Sequence, residues 1–119
     1  WGDNMLEINM ECRKGILFIR LGGELTKETV GKLNEEVTEL VKEAGIRNIV
    51  FNVENLISID MKGISTLFYN YELCKNNKGK SMLCGIEKTA VKQKIVNSRL
   101  LKYMNETNDE LSALHVFGT

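Results

Sequence analysis

The side chains that could carry chemistry in this sequence are few. Glu24, Glu54, Asp60 and Glu87 are the carboxylates available for paired acid–base work. No histidine or metal centre stands beside them in the sequence to organise such a pair. The only histidine is His115, in an apolar stretch near the C-terminus, where a partly buried helix residue is the expected role. Ser-His-Asp and metal chemistry lose their raw material. Cys12, Cys74 and Cys84 are odd in number with no close-spaced pair, so neither a disulfide framework nor a zinc site is expected. They read as small core residues in a reducing compartment. Gly22-Gly23 is too short for a dinucleotide or P-loop cradle, and no Gly-x-Ser-x-Gly elbow occurs. No enzyme, no metal and no cofactor is expected.

Binding suits these residues better. In open α/β sheets, sites gather where strands end and helices begin. Three such segments stand out: Gly23-Glu24-Leu25-Thr26, Asn55 to Gly63, and Gly85-Ile86-Glu87. They follow expected strand ends at Leu21, Val53 and Cys84 and are expected to converge at one end of the sheet. In the middle segment Asp60 is placed to cap a helix. Gly63, in the first turn, allows a close backbone approach. A helix start also receives anions. The plain alternative is a capped helix with an incidental glycine. Ile57 and Ile59, with Met61 and Ile64, suggest an exposed apolar patch suited to a protein partner.

The elements that must position these residues follow from periodicity. Leu6 to Met10 alternates as a half-buried strand, and Ile16 to Leu21 reads as a more buried one. Arg13-Lys14-Gly15 between them is a turn, so an antiparallel hairpin is expected. Gly22-Gly23-Glu24-Leu25 is expected to break the strand. Thr26 then caps a helix whose apolar positions are Val30, Leu33, Val37, Leu40, Val41 and Ala44, with Gly45 as its stop. Ile49–Val53 reads as a central strand, and Glu54 to Asp60 as a loop. A second helix begins near Asp60 or Met61, buries Ile64, Leu67, Phe68, Tyr71 and Cys74, and ends at Asn76-Asn77-Lys78-Gly79. Lys80 to Cys84 is the next strand, parallel to the central one. Ala90, Val91 and Ile95 suggest a third helix, Leu100 to Met104 a last short strand, and Thr107 or Asn108 the cap of a final helix carrying Leu111, Leu114 and His115 or Val116. The order β-β-α-β-α-β-α-β-α predicts a single α/β domain, a mixed sheet of about five strands with about four helices packed on it.

The 119 residues suffice for one core. Sixteen basic against sixteen acidic residues leave no net charge, which removes the field that non-specific nucleic-acid binding needs. No apolar run approaches a membrane span, and no signal-peptide pattern is present. No nucleic-acid or membrane partner is expected, and the location is expected to be cytoplasmic. Residues 5–117 are expected to form the domain. Trp1 rather than Met opens the chain, so residues 1–4 read as an expression remnant or a disordered start, or the chain as an excised domain.

The order and spacing of several short stretches are familiar. Leu21-Gly22-Gly23-Glu24-Leu25 precedes the first helix, and Ile46-Arg47-Asn48-Ile49-Val50-Phe51-Asn52-Val53 forms the central strand. Asn55-Leu56, Ile59-Asp60-Met61-Lys62-Gly63-Ile64, Gly79-Lys80 and Ala90-Val91-Lys92 follow. Over Met5 to Phe117 the sequence resembles the STAS domain, and within it the bacterial anti-sigma factor antagonists. The resemblance implies a partner-switching regulator of transcription. Family members bind an anti-sigma factor kinase, which otherwise holds a sigma factor. Phosphorylation of a serine directly after the loop aspartate weakens that complex, and a phosphatase resets it.

This sequence departs from the family pattern at the decisive position. The family's Asp-Ser-Ser/Thr-Gly reads Asp60-Met61-Lys62-Gly63 here. Met61 has no hydroxyl to accept phosphate. Thr26 stands where an aspartate is common, and the late Ser-Gly-Leu turn reads Ser98-Arg99-Leu100. Ser58, Ser65 and Thr66 are substitute hydroxyls, unless they are ordinary surface or packing residues. Met61 is either a packing residue or a flexible apolar contact. Lys62 is either solvated or steers an acidic partner. The resemblance implies docking through Glu24, Thr26, Asn55, Ile57, Ser58, Asp60, Met61, Lys62, Gly63, Ile64, Gly85, Ile86 and Glu87 to an anti-sigma factor kinase or related regulatory protein. The alternative is a scaffold or sensory STAS module acting by self- or hetero-assembly. A third is an enzyme or a small-molecule binder, of a nucleotide for example, using the same helix start.

Overall fold

The computed structural model describes residues 5–118. The expectation for residues 1–4 lies outside them. Strands β1 (Leu6–Arg13) and β2 (Ile16–Leu25) form the antiparallel hairpin, with Arg13 opposite Ile16. The two-residue turn places Lys14 at φ 53° and Gly15 at φ 79°, the left-handed pair whose twist matches that of the strands.

The glycine pair does not break β2, contrary to the sequence reading. The strand runs on to Leu25 and pairs in parallel with β3 (Ile49–Ile59), so Glu54–Ile59 is strand and not loop. The cause is a pair of bulges. Between Arg20 and Gly22, and again between Gly23 and Glu24, β3 advances one residue more than β2. Val53, Leu56 and Ile59 therefore all point into the core at three-residue spacing, and the period-two signature of a strand disappears.

The first helical rod has three parts: α1 (Val30–Leu33), a π-helical stretch (Asn34–Thr38) and α2 (Glu39–Ala44). Its buried residues Leu33, Val37 and Val41 recur every four positions. At 3.6 residues per turn that row would drift by about 40° per step. The wider π turn keeps it aimed at the sheet. Thr26 is not the cap that the sequence suggested: the helix starts at Val30 with Thr29 as its N-cap. Thr26 opens the turn before it, its hydroxyl accepting from the Glu28 N–H (3.3 Å) and its carbonyl from the Val30 N–H (2.9 Å). Gly45 ends the rod in the left-handed conformation. Ala44 is exposed, and Leu40 largely so.

Helix α3 (Met61–Asn76) leads to β4 (Ser81–Cys84), which pairs in parallel with β3 as expected. Helix α4 (Thr89–Ser98) ends at Arg99, which takes a left-handed φ of 66° where the family pattern has glycine. Leu100–Met104 is not the last strand. Leu100–Lys102 is a 3-10 turn that buries Leu100, and β5 is Asn105–Thr107. Helix α5 (Glu110–Val116) is capped by Asp109, one residue beyond the expected caps. His115 is exposed, not partly buried.

Among the described residues the sheet order is β1-β2-β3-β4-β5, so β1 and β5 are its edges. One face carries the main core: Leu17, Ile19, Leu21, Ile49 and Phe51 from the strands meet Leu33, Val37 and Val41, then Ile64 and Leu67, then Val91 and Ile95 from the helices. The other face carries a smaller core, in which Ala113, Leu114 and Phe117 cover Ile16, Phe18, Val50, Met82 and Cys84. Cys74 and Cys84 are buried core residues, but Cys12 is exposed at the edge strand.

Candidate functional site

The ends of β2 and β3 and the start of α3 form one rigid corner. Leu25 lies opposite Ile59, and the Leu25 carbonyl accepts from the Asp60 N–H (3.2 Å). A Cβ at Gly63 would stand 2.2 Å from that same carbonyl oxygen and 2.8 Å from Ile59 Cγ1, so only glycine lets the helix start sit this close. Asp60 caps α3 through Oδ1, which accepts from the Gly63 N–H (2.9 Å). Its Oδ2 accepts from the Lys27 N–H (2.9 Å), tying the loop after β2 to the same carboxylate. Burial by itself would raise the Asp60 pKa. The N–H groups of Gly63, Lys27 and Lys62, with the Lys27 charge, outweigh it and hold the carboxyl below its usual range.

Met61, the first residue of α3, projects from this corner with 64 % of its surface exposed. Lys62 and Ser65 are exposed beside it. Ile57 is 56 % exposed, but Ile59 and Ile64 are buried, so the expected apolar patch reduces to Ile57 and Met61. Glu24 is joined to Ser58, whose hydroxyl donates to Glu24 Oε1 (3.0 Å). Thr66 is buried and its hydroxyl donates to Asn34 Oδ1 (2.8 Å), which makes it a packing residue.

Glu24, Thr26, Ser58, Asp60, Met61, Lys62 and Gly63 thus gather at one corner. The third segment does not join them. Gly85 packs against Asn52 and Glu54, and the Lys88 ammonium donates to the Glu54 carbonyl. Glu54 lies four residues before Ser58 on β3, about 13 Å away along a strand. Ile86 is buried there and Glu87 is exposed. Asn55 is exposed opposite Gly22, among residues that line a groove with Glu7, Asn9 and Arg20.

Two features went unseen in the sequence. A groove between the first helical rod and α3 continues from the corner, lined by Asn34, Thr38, Lys42, Lys62, Ser65 and Tyr69. On the opposite sheet face, Arg20 donates to Glu110 through Nε (2.8 Å) and Nη2 (2.8 Å), to Glu11 (2.8 Å) and to Asn9 (2.9 Å). Asn52 donates to the same Glu110 carboxylate (2.8 Å). The Arg20 hydrogen bonds hold the Glu110 carboxyl below its usual range, despite its burial, with help from Asn52. A lone arginine in the apolar run Ile16–Leu21 was the available signal. Its main partner lies 90 positions away.

A five-stranded mixed sheet with helices on both faces and a capped helix start at its tip defines a small α/β domain. The chain belongs to the STAS domain family, whose pattern matches residues 7–114. It is 28% identical over 109 residues to an anti-sigma F factor antagonist of Paenibacillus polymyxa, covering 92% of each chain. The fold is shared with an anti-sigma factor antagonist from Mycobacterium paratuberculosis (TM-score 0.84, 17% identity, 95% of this chain and 94% of that one). It is also shared with the Bacillus cell fate determinant SpoIIAA in its phosphorylated form (TM-score 0.71, 19% identity, 92% of this chain and 99% of that one).

Proposed function

We propose that residues 5–117 are a non-enzymatic regulatory module of the anti-sigma factor antagonist kind. It docks an anti-sigma factor kinase or a related regulatory protein through the corner around Asp60, in a bacterial cytoplasm, without phosphorylation at the usual position. The observation that carries this reading is Met61, exposed at the first turn of α3 directly after the capping Asp60. A phosphate there would add about −1.5 to −2 charge beside a carboxylate and oppose binding by repulsion and desolvation. A methionine cannot carry it and offers a flexible apolar contact instead. Docking is then constitutive or controlled at another site. Ser65 is the exposed hydroxyl nearest in the helix, while Thr66 is buried and the Ser58 hydroxyl is engaged by Glu24.

The test uses the purified chain, its Met61→Ser variant and a cognate anti-sigma factor kinase. With ATP, mass mapping is expected to find no phosphate in residues 58–66 of the natural sequence and stoichiometric phosphate at position 61 of the variant. Calorimetry should show kinase binding that is unchanged by ATP pre-incubation for the natural chain and lost for the variant. Absence of binding without ATP would refute docking, and stoichiometric phosphate at Ser58 or Ser65 would show a displaced switch.

A further inference from the structure

We propose that β1 is a self-pairing edge, through which two copies join antiparallel, β1 to β1, with Met10 on the two-fold axis. The argument starts from which backbone groups are free. The Met5 carbonyl accepts from the Glu24 N–H (2.8 Å) and Arg13 faces Ile16 across the hairpin turn. Odd-numbered residues of β1 therefore turn their N–H and C=O toward β2, and even-numbered ones turn theirs outward. Among the described residues, Ile8, Met10 and Cys12 present free donors and acceptors along an edge with no neighbouring strand. At Leu6 the row is closed, because the Lys32 ammonium donates to its carbonyl (2.7 Å).

The same three residues are the apolar side chains of β1 that are at least partly exposed on the face of the main core. Ile8 is half-buried, Met10 is 36 % exposed and Cys12 is exposed. A long edge with apolar side chains and open backbone groups is a template for another strand. Charge selects the strand. Pairing about Met10 sets Ile8 opposite Cys12 of the second copy and makes six backbone hydrogen bonds from the three free residues. On the other face it sets Glu7 opposite Arg13 of the second copy, twice, and Asn9 opposite Glu11. The neighbouring register, about Asn9, would oppose Glu7 to Glu11 twice and would need the Leu6 carbonyl that Lys32 already holds. Like charges directly opposite destabilise a sheet, and opposite ones support it. Both observations favour the Met10 register and a second copy of this chain as occupant.

This pairing is independent of kinase docking, because β1 is the sheet edge remote from α3 in the strand order. Sedimentation of the full chain is expected to show a species of twice the 13.5 kDa chain mass. Met10→Pro removes only an outward N–H, so it should leave β1–β2 pairing and circular dichroism unchanged and give a monomer. Glu7→Lys should weaken the dimer about tenfold, and Glu7→Lys with Arg13→Glu should restore it. Ile8→Cys should cross-link to the natural Cys12 of the second copy under mild oxidation. The unmodified chain should not cross-link, since its two Cys12 residues would stand four positions apart, beyond disulfide reach. A natural chain that stays monomeric up to its solubility limit overturns the proposal. So does a dimer that survives Met10→Pro, or oxidation that links Cys12 to Cys12. Kinase binding by the folded Met10→Pro variant separates this outcome from the docking test.

Discussion

A methyl group at position 63 has nowhere to go. The atoms it would strike are the Leu25 carbonyl oxygen, at 2.2 Å, and Ile59 Cγ1, at 2.8 Å. The first is backbone and is itself fixed by the Asp60 N–H. Gly63→Ala must therefore part the end of β2 from the start of α3, against the helix-propensity gain of about 1 kcal/mol that alanine brings. Overpacking of this kind costs about 1–3 kcal/mol, and the Asp60 cap adds about 1 kcal/mol if its bond to the residue-63 N–H breaks. The expected result is a lower urea midpoint with an unchanged denaturant slope. Met61→Ala, on the exposed neighbour, should stay within about 0.5 kcal/mol of the natural chain. Equal midpoints for the two variants would contradict the close approach. The sequence marked Gly63 as a place of close approach beside the alternative of an incidental glycine, and that the approaching backbone is Leu25 of the same chain was not legible in it. The burial of Ile64 was legible in the helical stripe, but that of Thr66 was not, since a short motif does not reveal which residues the first helical rod covers.

Helix α5 shows how an element of only seven residues is held. Its apolar residues cover the smaller core, and Glu110 at its first position reaches two strands, β2 and β3, at once. The carboxylate accepts both Arg20 donors and the Asn52 amide, while Arg20 also bonds Asn9 and Glu11 on β1. Glu110→Gln keeps the shape but removes the charge that makes these bonds strong. One-third of the Arg20 side chain is exposed, so solvent screens part of the loss. The expected cost is about 1–2 kcal/mol, with hydrogen exchange rising first at the α5 amides. Unchanged protection in α5 would mean that its apolar contacts alone hold it. Legibility at this scale followed periodicity. The hairpin, α3 and β4 were readable because their patterns are regular. The second half of β3 was read as a loop because two bulges replace alternation by a three-residue spacing. The π turn was invisible because Leu33, Val37 and Val41 also satisfy an ordinary helical stripe.

For the molecule as a whole, order and class were readable, since βαβ units admit few arrangements. The way the two sheet faces divide the helices was not, because it depends on contacts between residues 20, 52 and 110. Helix caps, the Arg20–Glu110 contact and two buried thiols set the pH range of stability. Asp60, Asp109 and Glu110 have folded pKa values below their ordinary 3.8, 3.8 and 4.5. Below pH 4.5 the unfolded chain therefore takes up protons first, and stability falls as pH drops through the folded values. Burial pushes the Cys74 and Cys84 thiols from 9.0 up to about 12, with the Glu110 charge adding to the effect at Cys84. Above pH 9 the unfolded thiols ionise while the folded ones hold their protons, so stability falls again, by up to about 1.4 kcal/mol per pH unit for each thiol. Arg20 is held charged throughout by Glu110 and Glu11, and contributes no slope. Urea midpoints measured from pH 3 to 10.5 should be flat between about pH 5 and 8.5 and decline on both sides. Cys74→Ala with Cys84→Ala should remove most of the alkaline decline and leave the acid one. Glu110→Gln should reduce the acid decline and leave the alkaline one. A slope across neutral pH, or an alkaline decline that survives loss of both thiols, would place the titrating groups elsewhere.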